Sequence, residues 1–373
     1  MSETFDTRVI FSTSRRRPSI KKAIINPLSS WREWRDFARF QSGPVDLPNE
    51  DVFNQPKLHL FQDKDFGALW PRRTPTEAKL QHWTYRISNM IKDGWRPDLI
   101  RAHSAFPAGV VAKRIKAIHE IPYVISEHMP FTIHKFPKDL QPEIKMAFED
   151  ADLVLSLSYD KVRQLAMSGI DVEPNIIFNY LNDELFSRHS DGYTPGQKLQ
   201  LVTIGAASFY KDHKTLLRSV RLLVDYGVPF HLTMIGLKVW GGDKLAETLS
   251  LIGDLELSEH VTVIDKLGRQ EIAEALPQYH VYLMTSIQEG FPNSVLEALA
   301  SGLFVVATRH GGSEDLIDDE MGRITSIKNP KAIAEVICRI FRGEIEFSPG
   351  HIRNKTIGIC GRDAYKERLS NYY

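Results

Sequence analysis

The tightest constraint on this chain is the run from Val281 to Thr308, VYLMTSIQEGFPNSVLEALASGLFVVAT. VYLMTS is apolar, β-rich and of strand length, and FVVAT (Phe304–Thr308) has the same character. Between them SVLEALAS predicts a short helix, with Leu296 and Leu299 on one side and Gly302 just past its end, where a left-handed backbone is favoured. Two buried-type strands joined by a loop and a helix make one βαβ step of a parallel sheet. Ligands of such sheets bind beyond the carboxyl ends of the strands, which puts Glu289 at the mouth and Glu297 beside it in the first helical turn. Gly290, Phe291, Pro292, Asn293 and Ser294 open the helix, so the backbone N–H groups of this loop, which Pro292 alone lacks, offer an anion site. A carboxylate on each side of such a site suits a ligand with both hydroxyls and phosphates, as in a sugar nucleotide. Ser294 and Glu297 equally fit a capping box, S-x-x-E, which needs no ligand.

The same alternation runs through the rest of the chain. Strands are expected at Thr7–Phe11, Lys57–Phe61, Asp98–Ala102, Pro122–His128, LVLSLS, NIIFN, Leu199–Gly205, Phe230–Gly236 and Val261–Asp265. A helix is expected over Thr76–Asp93, with Leu80, Trp83, Ile87 and Ile91 on one face, and another over residues 330–342. Regular β/α alternation implies an α/β fold with doubly wound parallel sheets. At 373 residues the chain is long for one core. The polar stretch SRHSDGYTPGQK (Ser187–Lys198) reads as a linker, dividing a first domain over 1–186 from a second over 199–350, with a terminal helical segment over 351–373.

Charge and cysteine usage exclude other classes. Lys+Arg and Asp+Glu are both 47, so no global field points to nucleic acid. The two cysteines, Cys338 and Cys360, have no metal-type spacing and suggest no disulfide framework. No apolar run approaches the length of a membrane span, and the start is not a signal peptide, so the cytoplasm is the expected setting. Near the start Arg15, Arg16, Arg17, Lys21 and Lys22 precede Trp31, Trp34, Phe37 and Phe40 at helical spacing. That stripe is either core with solvated charges beside it or a peripheral contact with an anionic membrane face.

The Glu289–Glu297 stretch resembles the Glu, seven residues, Glu signature of retaining GT-B glycosyltransferases, above all glycosyltransferase family 4. The resemblance implies two Rossmann-like domains facing a cleft. It implies that Glu297 holds ribose hydroxyls, that Glu289 contacts the donor sugar and that the Gly290–Ser294 amides face the diphosphate. PDLIRAHSAFPAG and the strand end ISEH resemble the family as well, which puts His103 near the donor sugar and His128 towards the acceptor. Gly205 and Lys211 match the family's phosphate loop, but its arginine position is Ala206, and Lys214 is the nearest spare cation. Lys266 and Leu267 match the approach to the nucleobase, and HGGSEDLI resembles the family's Gly-Gly-x-x-Glu turn, with Gly311 and Gly312 permitting the bend and Glu314 capping it. His119, His134, His213, His280 and His310 gain no such support. The family's opening strand and glycine-rich loop have no counterpart after Thr7–Phe11, so the first βα unit is expected to be missing or divergent.

The expected activity is transfer of a sugar from a UDP- or GDP-sugar to a glycan or lipid-linked acceptor with retention, in surface or exopolysaccharide assembly. Glu289 and His103 would act at the reacting centre, with no metal and no cofactor besides the donor substrate. A non-catalytic sugar-nucleotide binder and a sugar-nucleotide epimerase are the alternatives, since fold alone does not settle function.

Overall fold

The computed structural model describes residues 8–13, 57–62, 76–238 and 244–372. The basic run from Arg15 and the aromatic stripe of Trp31, Trp34, Phe37 and Phe40 lie outside the described residues. Two units divide the chain, Met1–Asp98 with Arg114–Ile121, and Leu99–Lys113 with Pro122–Tyr373.

In the first unit β1 (Arg8–Thr13) and β2 (Lys57–Gln62) pair in parallel, Arg8 opposite Lys57 through Thr13 opposite Gln62. Helix α1 (Thr76–Lys92) buries Leu80, Thr84, Ser88 and Ile91, a spacing of four and three that lays one face inward. Arg114 grips Glu77 at its first turn through two nitrogens, at 3.0 and 2.8 Å.

The second unit holds two parallel sheets. Four strands run in the order β3 (Ile100–His103), β4 (Tyr123–Glu127), β5 (Leu153–Ser156), β6 (Asn175–Ile176). All five residues of β4 are buried, as a strand covered on both faces requires. The crossovers are α2 (Val110–His119), whose residues from Arg114 on are counted with the first unit, α3 (Gln141–Glu149) and α4 (Tyr159–Met167), the last capped by Ser158, whose hydroxyl accepts from Lys161 N.

The larger sheet is ordered β12 (Gly322–Thr325), β11 (Phe304–Thr308), β10 (Val281–Met284), β7 (Leu199–Ile204), β8 (Phe230–Ile235), β9 (Val261–Ile264). Chain order therefore reverses between β7 and β10, and the carboxyl ends of those two strands open the crevice where such sheets bind ligands. Around this sheet lie α5 (His213–Asp225), α6 (Leu245–Asp254), α7 (Arg269–Ala275), α8 (Asn293–Ala300) and α9 (Pro330–Phe341). The tail forms two helices where a single terminal one is expected, α10 (Pro349–Cys360) and α11 (Arg362–Ser370). Leu369 of α11 is buried with Val124, Leu155 and Ile177 of the four-stranded sheet region. Arg362 pairs with Glu184, and Leu181 N donates to Cys360 O.

Candidate functional site at the strand-order reversal

After β7 the backbone passes through Gly205, with φ at 153°, and a Cβ there would lie 3.0 Å from Lys211 Cε. The lysine stem thus lies over a position without a side chain. Its turn is tied to the next loop along the crevice. Thr285 Oγ1 donates to Lys211 O at 3.0 Å, and Ile287 N donates to Tyr210 O at 2.8 Å. Asp212, in the left-handed region at φ 46°, caps α5 by accepting from Thr215 N and Thr215 Oγ1.

These ties bring Lys211 to Glu289. Lys211 Nζ and Glu289 Oε1 are 2.8 Å apart, and Ser286 Oγ donates to the same carboxylate oxygen at 2.7 Å. The Glu289 backbone is held on both sides, its N–H by His310 O at 3.1 Å and its carbonyl by Lys161 Nζ at 2.7 Å. Gly290 follows, and a Cβ there would meet His128 O at 2.1 Å, so only glycine fits this approach.

The capping-box expectation does not hold. Helix α8 begins at Asn293 with Pro292 at the cap position, and no side chain caps it. Ser294 instead accepts a hydrogen bond from the buried Tyr282 hydroxyl at 2.8 Å, and Glu297 faces Arg269 Nη2 at 3.4 Å. Starting two residues earlier than a Ser294 cap requires places Ser294 and Glu297 inside the first turns rather than at cap and third position. The helix start is left as a group of backbone donors with a partial positive charge. Burial raises the pKa of Glu297, and Arg269 opposes that shift.

The four-stranded sheet region supplies the other wall. His103, at the end of β3, and His128, just past β4, stack at 5.0 Å between centroids, with His103 Nδ1 2.8 Å from His128 Nε2. One ring must donate and the other accept, so the contact requires at most one charge on the pair. Burial lowers both pKa values and Arg101 adds to each shift, while His103 adds further to that of His128, which falls to about 4. Glu127, 3% exposed, accepts from Ala105 N and Met129 N at 3.0 Å each and so fixes both histidine loops. Asn179 donates to Phe291 O and to Asn293 Oδ1, and Phe178 stacks on Phe291 at 5.2 Å.

The structure therefore gathers Gly205, Lys211, Glu289, Gly290–Ser294 and His128 around one crevice, with Glu297 one helical turn behind. His310, set aside on sequence grounds, is buried there. Its Nδ1 accepts from Gly312 N, its Nε2 lies 3.2 Å from Ser313 Oγ, and burial lowers its pKa. Glu314 accepts from Gly311 N and Ser313 N and so closes the glycine turn. Lys214 lies near Glu247 and takes no part in the pair with Glu289. Arg269, Asn179, Lys161 and Glu127 were missed, because each acts through a partner at least 22 residues distant, a separation that no local pattern encodes. Among the described residues, no group of three or more His, Cys, Asp or Glu is placed to hold a metal, and no helix is long and apolar enough to cross a membrane.

Known proteins resemble this chain in sequence and in fold. Residues 189–354 match the family described as glycosyl transferases group 1. The amylovoran biosynthesis glycosyltransferase AmsK of Erwinia amylovora is 27% identical over 160 residues, 41% of this chain and 38% of that protein. TuaC of Bacillus subtilis, named for teichuronic acid biosynthesis, is 28% identical over 322 residues, 80% of this chain and 78% of that one. This chain spans 38% of the AmsK length and 63% of that of WcaL, a colanic acid biosynthesis protein of Escherichia coli. Among solved structures, HepE of Anabaena in complex with UDP and glucose superposes with a TM-score of 0.70 at 16% identity, covering 98% of both chains. Two parallel sheets and these neighbours show the GT-B fold.

Proposed function

We propose that the chain is a retaining glycosyltransferase of family 4, moving a sugar from a UDP- or GDP-sugar to an acceptor hydroxyl. The observation that carries this reading is the Lys211–Glu289 pair at 2.8 Å, set at the strand-order reversal beside an uncapped helix start. A lysine with a carboxylate partner in the resting site can change partners when a diphosphate enters. Lys211 and the Asn293–Ser294 amides then hold the leaving charge as the bond to the sugar breaks, a stabilisation by preorganised donors that requires no metal in this reading. Glu289, released from the lysine, faces sugar hydroxyls, and Glu297 takes the ribose. His103 and His128, whose cationic forms burial disfavours, can accept or donate a hydrogen bond near the reacting hydroxyls without adding charge. HepE has been solved with UDP and glucose. The relatives' names point to polysaccharide assembly, so a glycan or lipid-linked acceptor on the cytoplasmic membrane face completes the proposal.

One observation favours a second reading. Ala206 leaves the phosphate loop one cation short of the family pattern, which suits a protein that binds a sugar nucleotide without turning it over. Donor hydrolysis and transfer with a panel of UDP- and GDP-sugars separates the two. Turnover by the wild type should fall on the order of 10²-fold in Glu289→Ala, while Glu297→Ala should chiefly weaken nucleotide affinity. Nucleotide binding without turnover on any acceptor supports the binder.

A further inference from the structure

Lys161 is fully buried, an unusual place for an ammonium group, which costs several kcal/mol to desolvate unless it is well paired. It lies on α4, in the crossover following β5, yet its Nζ donates to the carbonyl of Glu289 at 2.7 Å, across 128 residues of sequence. Its charge partner, Asp160 Oδ2, is at 3.5 Å. Burial lowers the Lys161 pKa, while Asp160, Glu314 and Glu289 favour its charged form.

The surroundings press the same segment against the Glu289 loop and its neighbour. A Cβ on Gly311 would meet Asp160 Oδ2 at 2.2 Å, so Asp160 packs directly on that backbone. Ser158 Oγ donates to Gly311 O at 3.0 Å, and Tyr159 N donates to Asp315 Oδ2 at 2.7 Å. Glu289 itself has four anchors: His310 O on its N–H, Ser286 and Lys211 on its carboxylate, and Lys161 on its carbonyl. The first three belong to the six-stranded sheet and its loops. Among the described residues, Lys161 alone reaches Glu289 from the other sheet.

Stability alone does not explain a charge here, because replacing a buried ion pair with apolar side chains is often neutral or stabilising. A charged donor does supply direction: it holds one carbonyl, and with it the peptide between Glu289 and Gly290, in one orientation. We propose that Lys161 is a positioning residue for Glu289, setting the carboxylate against the donor sugar from the four-stranded sheet. The inference rests on the glycosyltransferase reading above.

The test compares the wild type with Lys161→Met, Glu289→Ala and the double variant, using whichever UDP- or GDP-sugar the wild type turns over. Lys161→Met should lose on the order of 10²-fold in kcat, the cost of displacing a reacting group by about 1 Å, with binding of the free nucleoside diphosphate changed by no more than about twofold. In the Glu289→Ala background, Lys161→Met should produce almost no further loss, since residues that act as a unit are not additive. Lys161→Gln, a neutral donor, serves for the same cycle should the Met variant not fold. Undiminished turnover in Lys161→Met overturns the inference, and so does an equal loss with or without Glu289, which marks a structural role. A wild type that neither binds nor turns over any donor overturns the activity beneath it instead.

Discussion

His213 opens α5 next to the phosphate loop, and its ring is 5% exposed with Nδ1 lacking a hydrogen-bond partner. Burial, with Lys211 nearby, lowers its pKa from 6.5 to about 4. Between those two values the unfolded chain binds a proton that the folded chain refuses, so stability is full above pH 6.5 and is lost as the pH falls towards 4. A shift of this size corresponds to up to about 3 kcal/mol for one buried group. His128, lowered to about 4, acts in the same direction and window. His213→Leu should therefore flatten the fall of Tm between neutral pH and about pH 4. Parallel curves for variant and wild type would remove His213 as a cause.

At the scale of elements, Gly290 shows how two parts of the chain meet with no side chain between them. A Cβ would lie 2.1 Å from the carbonyl oxygen of His128, and that obstacle is backbone, which cannot rotate aside. Gly290→Ala must move either the Glu289 loop or the end of the β4 segment, so turnover should be lost and stability reduced by about 1–3 kcal/mol, measurable by urea unfolding. A variant with wild-type activity would show that the approach is looser than it stands. The strand, helix and strand around this loop were legible because apolar runs and the left-handed Gly302, φ 75°, are local signals. The capping-box alternative at the start of α8 fails for an equally local reason: Ser294 and Glu297 have the spacing, but Pro292 takes the cap position and Tyr282 claims the serine. Lys161 was invisible because a buried lysine shares the composition of a solvated one, and only the tertiary contact distinguishes them.

At the scale of the molecule, the two parallel sheets follow from the alternation of short apolar strands with helices, while the order of the larger sheet follows from pairing that no single segment encodes. That order makes β7 and β10 neighbours and brings Lys211 to Glu289. Side chains from the four-stranded sheet region, Lys161 and Asn179, then hold the backbone of the same loop. Under the proposed function a nucleoside diphosphate settles on Lys211 and the α8 start, a surface of the larger sheet whose loop Lys161 and Asn179 hold from the other. Such a ligand stabilises the fold by mass action, about 2.7 kcal/mol at a hundredfold excess over Kd. Thermal unfolding with UDP and with GDP should show a rise in Tm for one nucleotide and little for the other, which identifies the donor base. The rise should shrink in Lys211→Ala, which removes the cation facing the diphosphate and leaves the β7–β10 pairing untouched. An equal rise in that variant would place the nucleotide elsewhere on the chain, and no rise with either nucleotide would deny the site its diphosphate.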